Sequence, residues 1–165
     1  MKVYCYSKRD FERIAIANGW SDDNPPTDWA VISICCKPEV VVNVLDGRDA
    51  HFFAKNHENV LNVEFDDITQ DEQYISDPGM GFTAYGLDLK TARTIVNFIN
   101  NHVGMNFMVH CRAGKSRSQA VTRFITDFYE GYKETNPDNP CMFPNVHTLH
   151  KLKQARYEKE YSNNS

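Results

Sequence analysis

The sequence predicts an α/β domain built on a central, mainly parallel sheet of about four to five strands, with helices on both faces. Three observations predict it. Apolar runs of strand length, such as Trp29 to Cys36, are nearly continuous, as strands buried on both faces are. Stripes at helical spacing, such as Ala92, Ile95, Val96, Ile99 and Val103, lie between those runs. The two patterns interleave along the chain, and no internal repeat is visible.

Lys2 to Tyr6 alternates weakly and reads as a first strand. Ser7 offers an N-cap to a helix carrying Phe11, Ile14 and Ala15, and Gly19 closes it. Trp20 to Asp28, rich in Asp, Asn and Pro, is a loop before the Trp29 strand. Val40 to Leu45 is expected to be another strand, closed by Asp46-Gly47, and Arg48 to Lys55 a short helix. Val60 to Phe65 is a further strand ending at Asp66-Asp67. Ile68 to Gly86 lacks clear periodicity and is expected to form a long surface loop. Asp88 caps the long helix, which Gly104 stops. Asn106 to Val109 is a strand, and Ser118 to about Tyr129 a helix with Val121, Phe124, Ile125 and Phe128 on one stripe. Gly131 to Pro144 is a second loop, followed by a helix from about Val146 to Tyr161 and a frayed tail.

Composition bounds the class. With 165 residues, 41% apolar and 24% charged, residues 1–165 are expected to form one domain with a substantial core. A net charge of −4 and a pI near 5.8 speak against general binding to nucleic acid or to a membrane surface. The five cysteines, an odd number, do not read as a disulfide framework and suit a reducing compartment. Met1 to Asn18 has no apolar signal core, and no run approaches the roughly 18 apolar residues of a membrane span. The expected location is cytoplasmic.

The stretch that carries chemistry is His110-Cys111-Arg112-Ala113-Gly114-Lys115-Ser116-Arg117-Ser118. It sits between a strand and a helix, an arrangement suited to gripping a tetrahedral oxyanion while a thiolate attacks it. Backbone N–H groups from Arg112 through Ala113, Gly114, Lys115 and Ser116 to Arg117, curled around a point, would make an anion nest. The start of the next helix adds unpaired donors and partial positive charge. The same field favours thiolate over thiol at Cys111. Arg117, with five residues between it and Cys111, can bind two oxygens of a phosphate bidentately. Gly114 allows close backbone approach. Ser118 can offer its hydroxyl to the thiolate and ease its departure from a covalent intermediate. His110 is expected to orient the loop by hydrogen bonds. A nucleotide P-loop is excluded, because Val109 stands where that motif needs a glycine.

His110 to Ser118 resembles the Cys-x5-Arg signature of the protein tyrosine phosphatase superfamily, and its wording is closest to the dual-specificity branch. The resemblance covers Trp29 to about Gly131. It implies the cysteine-based phosphatase fold and a protein-tyrosine or dual-specificity phosphatase acting through a phosphocysteine. It implies no cofactor and no metal, a phosphorylated protein or peptide as substrate, and a phosphate or sulfate in the signature loop. Rival readings are a phosphatase of phosphoinositides, inositol polyphosphates or RNA 5′-triphosphates, and a phosphate-binding module without chemistry. Basic residues at Arg112 and Lys115 resemble the tensin-like lipid phosphatases, whereas Ser116-Arg117-Ser118 departs from their ending.

The resemblance also calls for an aspartic acid on a mobile loop to protonate the leaving group. Asp66, Asp67, Asp71 and Asp77 are in range. Asp77 lies 34 residues before Cys111, near the family's common spacing; Asp67 lies 44 before, directly after a strand. Phe65-Asp66-Asp67-Ile68 resembles the acid loop of small bacterial and viral members. Strand-end topology favours Asp67, with Asp66 and Asp77 as alternatives. His147 and His150 share a helix face but have no companion ligands in the pattern, so they read as packing or surface residues rather than a metal site. Cys35 and Cys36, in an apolar strand, read as inert core thiols.

Overall fold

The computed structural model describes residues 1–38, 49–77, 80–135 and 143–163. Its elements run β1 (Lys2–Ser7), α1 (Lys8–Ala17), β2 (Trp29–Cys35), β3 (Val60–Glu64), β4 (Glu72–Asp77) and β5 (Met80–Tyr85). They continue with α2 (Leu89–Asn101), β6 (Asn106–Cys111), α3 (Arg117–Phe128), β7 (Lys133–Glu134) and α4 (Val146–Asn163). Five strands form one parallel sheet in the order β3-β2-β6-β1-β7. This is the α/β architecture expected from the sequence.

Alternation along the central strands sorts side chains to two faces. Ala30, Ile32, Ile34, Phe107 and Val109 join Ile95, Ile99, Phe124, Ile125 and Leu152 in the larger core, under α2, α3 and α4. Val31 and Met108 point the other way, into a smaller core with Phe11 and Ala15 of α1 and with Phe53. Ser7 caps α1 by accepting from Asp10 N at 3.2 Å, and Asp88 caps α2 by accepting from Thr91 N at 2.7 Å. Register places Ser7 beside Cys111, so β1 and β6 end together at the carboxyl edge of the sheet.

Three expectations meet a different outcome. Ile68 to Gly86 is not a structureless loop: β4 and β5 pair antiparallel from Glu72–Tyr85 to Asp77–Met80. Its apolar signal is thin: Tyr74 is 68% exposed, and among the described residues of the hairpin only Ile75, Phe82 and Ala84 pack with Ile68 and Cys36. Residues 49–55 form no helix. Their polar groups serve long-range contacts instead: Cys36 N donates to Asp49 Oδ2 at 2.7 Å, and Ala54 N to Asp22 Oδ2 at 2.8 Å. Finally, Gly131 to Pro144 contains β7, two residues that pair with Lys2 and Val3 and extend the sheet. The expected strand from Val40 to Leu45, its closing Asp46-Gly47 and Arg48 lie outside the described residues.

The irregular 49–55 segment is nevertheless core. Phe53 is fully buried, with Phe11, Phe52 and His57 around its ring. Phe53→Ala is expected to cost about 3–5 kcal/mol in urea unfolding. A loss under about 1 kcal/mol would show that the segment is not part of the cooperative core.

Candidate functional site

The turn after β6 is set by glycine. Gly114 has φ +68°, and a Cβ there would lie 2.6 Å from Ser7 N and 2.7 Å from Tyr6 C. Only a residue without a side chain lets the loop sit on the end of β1. Lys8 N donates to Arg112 O at 3.2 Å, and tightens the same contact. Cys111 is 2% exposed, and its Sγ lies 3.1 Å from Ser118 Oγ. Cys5 reaches the same hydroxyl from β1 at 3.2 Å. Arg112, Ala113 and Lys115 are exposed on the rim, Ser116 is half-buried, and Gly114 and Ser118 are buried.

Arg117 opens α3 and is 4% exposed. Its Nη1 donates to Phe65 O at 2.8 Å and touches Cys36 Sγ at 3.4 Å. Its Nε is buried with no acceptor among the described residues. Burial works against the charge, yet Cys36, Cys111 and Asp67 together hold its pKa above the ordinary value. Ser116, the N-cap of α3, makes no side-chain capping bond, so the helix start keeps unpaired donors. Burial pushes the Cys35 thiol up to about 12 and the Cys36 thiol up to about 11. Both are held as neutral thiols, as their apolar strand suggested, but Cys36 also touches Arg117.

The candidate acids separate cleanly. Asp66 is 3% exposed and accepts from Lys37 N at 2.9 Å and Tyr85 N at 2.7 Å. Both its oxygens serve backbone amides, one just past β2 and one at the base of the hairpin. Asp67 is exposed, and its Oδ1 accepts from Ser116 Oγ at 2.7 Å and Asn145 Nδ2 at 2.8 Å. It therefore lies against the signature loop, with Oδ2 unpaired among the described residues. Asp77 ends β4, paired with Met80 at the far end of the hairpin from Asp66. Asp71 is exposed and bound by Lys151 at 2.7 Å.

Asn145 escaped the sequence reading. Its Nδ2 also donates to Ile68 O at 3.0 Å, its backbone N donates to Ser116 O at 3.1 Å, and its Oδ1 caps α4 by accepting from Thr148 N. An asparagine directly before an apolar helical run is an N-cap signal; nothing in the sequence ties it to Asp67. Gln119, also missed, bridges Gly114 O and Phe143 N. His147 Nε2 lies 3.1 Å from Leu87 O, a packing role.

His110 behaves differently from the expectation of a hydrogen-bonded loop anchor. Neither ring nitrogen has a partner among the described residues, and the ring stacks flat on Phe11 at 4.2 Å. Burial first, then the charges of His51 and Lys8, push its pKa down to about 3. No protein-family model, curated protein or solved structure matches the chain. No helix among the described residues is long and apolar enough to cross a membrane.

Two outcomes follow from burial. Asp66→Ala strands two backbone donors and is expected to lower stability by about 1–3 kcal/mol in urea unfolding. An unchanged midpoint would deny Asp66 its structural role. The unfolded chain protonates His110 below its ordinary value near 6.5, while the folded chain resists until about 3. Stability is therefore lost as pH falls through that window, by about 2 kcal/mol at pH 5. His110→Phe should flatten the stability profile between pH 7 and 5; an unaltered slope would place the acid sensitivity elsewhere.

Proposed function

We infer that the chain is a cysteine-dependent phosphatase that hydrolyses phosphate monoesters, with phosphotyrosine in proteins or peptides as its first candidate substrate and dual specificity as its extension. The observation that carries this reading is Arg117: a buried cation beside Cys111, anchored through Nη1, whose unpaired Nε an anion in the loop would satisfy.

On this reading Cys111 attacks phosphorus as the thiolate, and the phosphorus–oxygen bond to the leaving group breaks as the phosphorus–sulfur bond forms. Arg117 and the loop amides hold the remaining phosphoryl oxygens. Asp67 gives its proton to the departing oxygen. It then takes one from the water that attacks the phosphocysteine and frees phosphate. Ser118, 3.1 Å from Cys111, stabilises the thiolate as it leaves. Asn145 and Ser116 both occupy Asp67 Oδ1, which directs the transferable proton to Oδ2. Asn145 is thus a positioning residue for the acid.

Pre-steady-state hydrolysis of p-nitrophenyl phosphate, with substrate in excess over enzyme and EDTA present, tests the reading. A burst is expected from the wild type and none from Cys111→Ser; a burst that survives the substitution overturns the mechanism. Asp67→Asn should slow phenyl phosphate turnover by about 10²–10⁴-fold, and Asp66→Asn or Asp77→Asn doing so instead would move the acid. Asn145→Ala should lower phenyl phosphate turnover by roughly 3- to 100-fold in the wild type and far less in Asp67→Asn. Equal losses in both backgrounds would mean that Asn145 serves only the fold.

A further inference from the structure

Directly opposite residues of an antiparallel pair share a face, and so do residues two apart along one strand. The pairs Glu72–Tyr85, Tyr74–Thr83 and Ser76–Gly81 therefore lie on one face of the β4–β5 hairpin, and Ile75–Phe82 on the other. The second face is the one packed with Ile68 and Cys36. The first is open: Tyr74 is 68% and Tyr85 41% exposed, and Glu72 and Gly81 are exposed as well. A Cβ at Gly81 would overlap Tyr74 Oη, so the tyrosine lies across β5 at a position kept free of side chain. Its ring covers Gly81 and offers its outer side to solvent.

Charge is the second feature of this face. Ile68 to Gly86 contains Asp71, Glu72 and Asp77 and no Lys, Arg or His. Asp71 is taken by Lys151 at 2.7 Å and lies 3.6 Å from His147, which fastens the hairpin base to α4. Glu72, on the tyrosine face, forms no ion pair among the described residues. Two exposed phenol rings and an unpaired carboxylate on one face match arginine or lysine, whose cation stacks on a ring and pairs with a carboxylate. The exposed rim of the signature loop carries the reverse sign, at Arg112 and Lys115.

We propose that this face docks a basic segment of a phosphorylated protein, so that the preferred substrate carries an arginine or lysine near its phosphorylated residue. The proposal rests on the phosphatase reading for its catalytic consequence, and extends that reading from a reaction to a class of substrate. Position supports the choice of occupant. Asp66 N donates to Tyr85 O and Tyr85 N to Asp66 Oδ2, each at 2.7 Å. The next residue, Asp67, lies against Ser116 of the signature loop. The docking face is thus fixed one residue from the candidate acid, within reach of a peptide held at the loop by its phosphate. An inositol phosphate has no cation to place there.

The test compares kcat/KM at fixed ionic strength for p-nitrophenyl phosphate and for phosphotyrosyl peptides of one sequence. The peptides carry arginine, alanine or glutamate on either side of the phosphotyrosine. The wild type is expected to favour arginine over alanine by about fivefold on at least one side, through KM, with the preference shrinking as salt rises. Glu72→Gln and Tyr74→Ala should each bring that preference to within about twofold and leave p-nitrophenyl phosphate turnover unchanged. Glu72→Lys should shift the preference to the glutamate peptide, an exchange that a purely structural role for the hairpin does not produce. No arginine preference on either side, or an equal loss on every substrate in both variants, overturns the docking face. So does a concentration-dependent dimer in sedimentation that Tyr74→Ala dissolves, because a second copy then occupies the face. If the wild type hydrolyses nothing, fluorescence-anisotropy binding of the same peptides decides. Tighter binding of the arginine peptide, lost in Glu72→Gln, keeps the docking face while sinking the phosphatase reading, and equal binding sinks the docking face.

Discussion

The contact on which the site depends is backbone against backbone: Gly114 lying on the end of β1. The left-handed turn there, and the 2.6 Å that would separate an added Cβ from Ser7 N, leave the loop one way to fold over the strand. Once seated, the loop is held from several sides. Lys8 N reaches Arg112 O, Cys5 reaches the Gly114 carbonyl at 3.6 Å, and Ser118 comes down between the thiols of Cys5 and Cys111. The first seventeen residues are therefore the floor of the candidate site. Parallel register delivers that floor, because β1 and β6 can end side by side only if they run the same way.

The adjacent carboxylates show how the chain absorbs extra residues without moving the site. Successive side chains leaving a strand point in opposite directions. Asp66 turns inward and ties the Lys37 and Tyr85 amides together; Asp67 turns outward onto Ser116. Because Asp66 clamps the base of the β4–β5 hairpin, the hairpin can project while Asp67 stays beside the signature loop. Asn145 makes the arrangement three-sided, joining the Asp67 loop, the loop after β6 and the start of α4 through one buried amide.

Much of this was legible in the sequence, for physical reasons that also explain the gaps. Apolar periodicity located β2 and α2, and cap chemistry located Ser7 and Asp88, because each signal is confined to one segment. The strand-end argument put Asp67 where the chain reaches the edge of the sheet, and there the structure sets it against Ser116, while Asp77 lies at the far end of the hairpin. Partners set by tertiary contact were illegible. The hairpin hides because it buries few apolar side chains. Residues 49–55 hide because their hydrogen bonds run to Cys36 N and to Asp22, both distant in sequence, and the Asp22 bond takes a backbone donor that a helix would have used itself. His110 misled because its residue type suggests polar bonding, whereas Phe11 packs on it as on another aromatic ring. Asn145 is recognisable as a cap, but its reach to Asp67 spans 78 positions and leaves no local trace.

Arg117 draws these points into one electrostatic argument. A guanidinium at 4% exposure gives up most of its hydration, and one carbonyl bond from Phe65 does not restore it. The neighbouring Asp67 carboxylate still favours its charged form. Two features stay unfinished among the described residues: a buried donor at Nε without an acceptor, and a helix start without a side-chain cap. On the proposed reaction, an entering phosphate supplies that acceptor, and the reorganisation that water would demand is avoided because the donors are already oriented. The cost of holding a buried cation ready is met by apolar burial elsewhere, in the two cores that grip β6 from either face. A stable sheet and an electrostatically unfinished loop at its edge are thus two sides of one design.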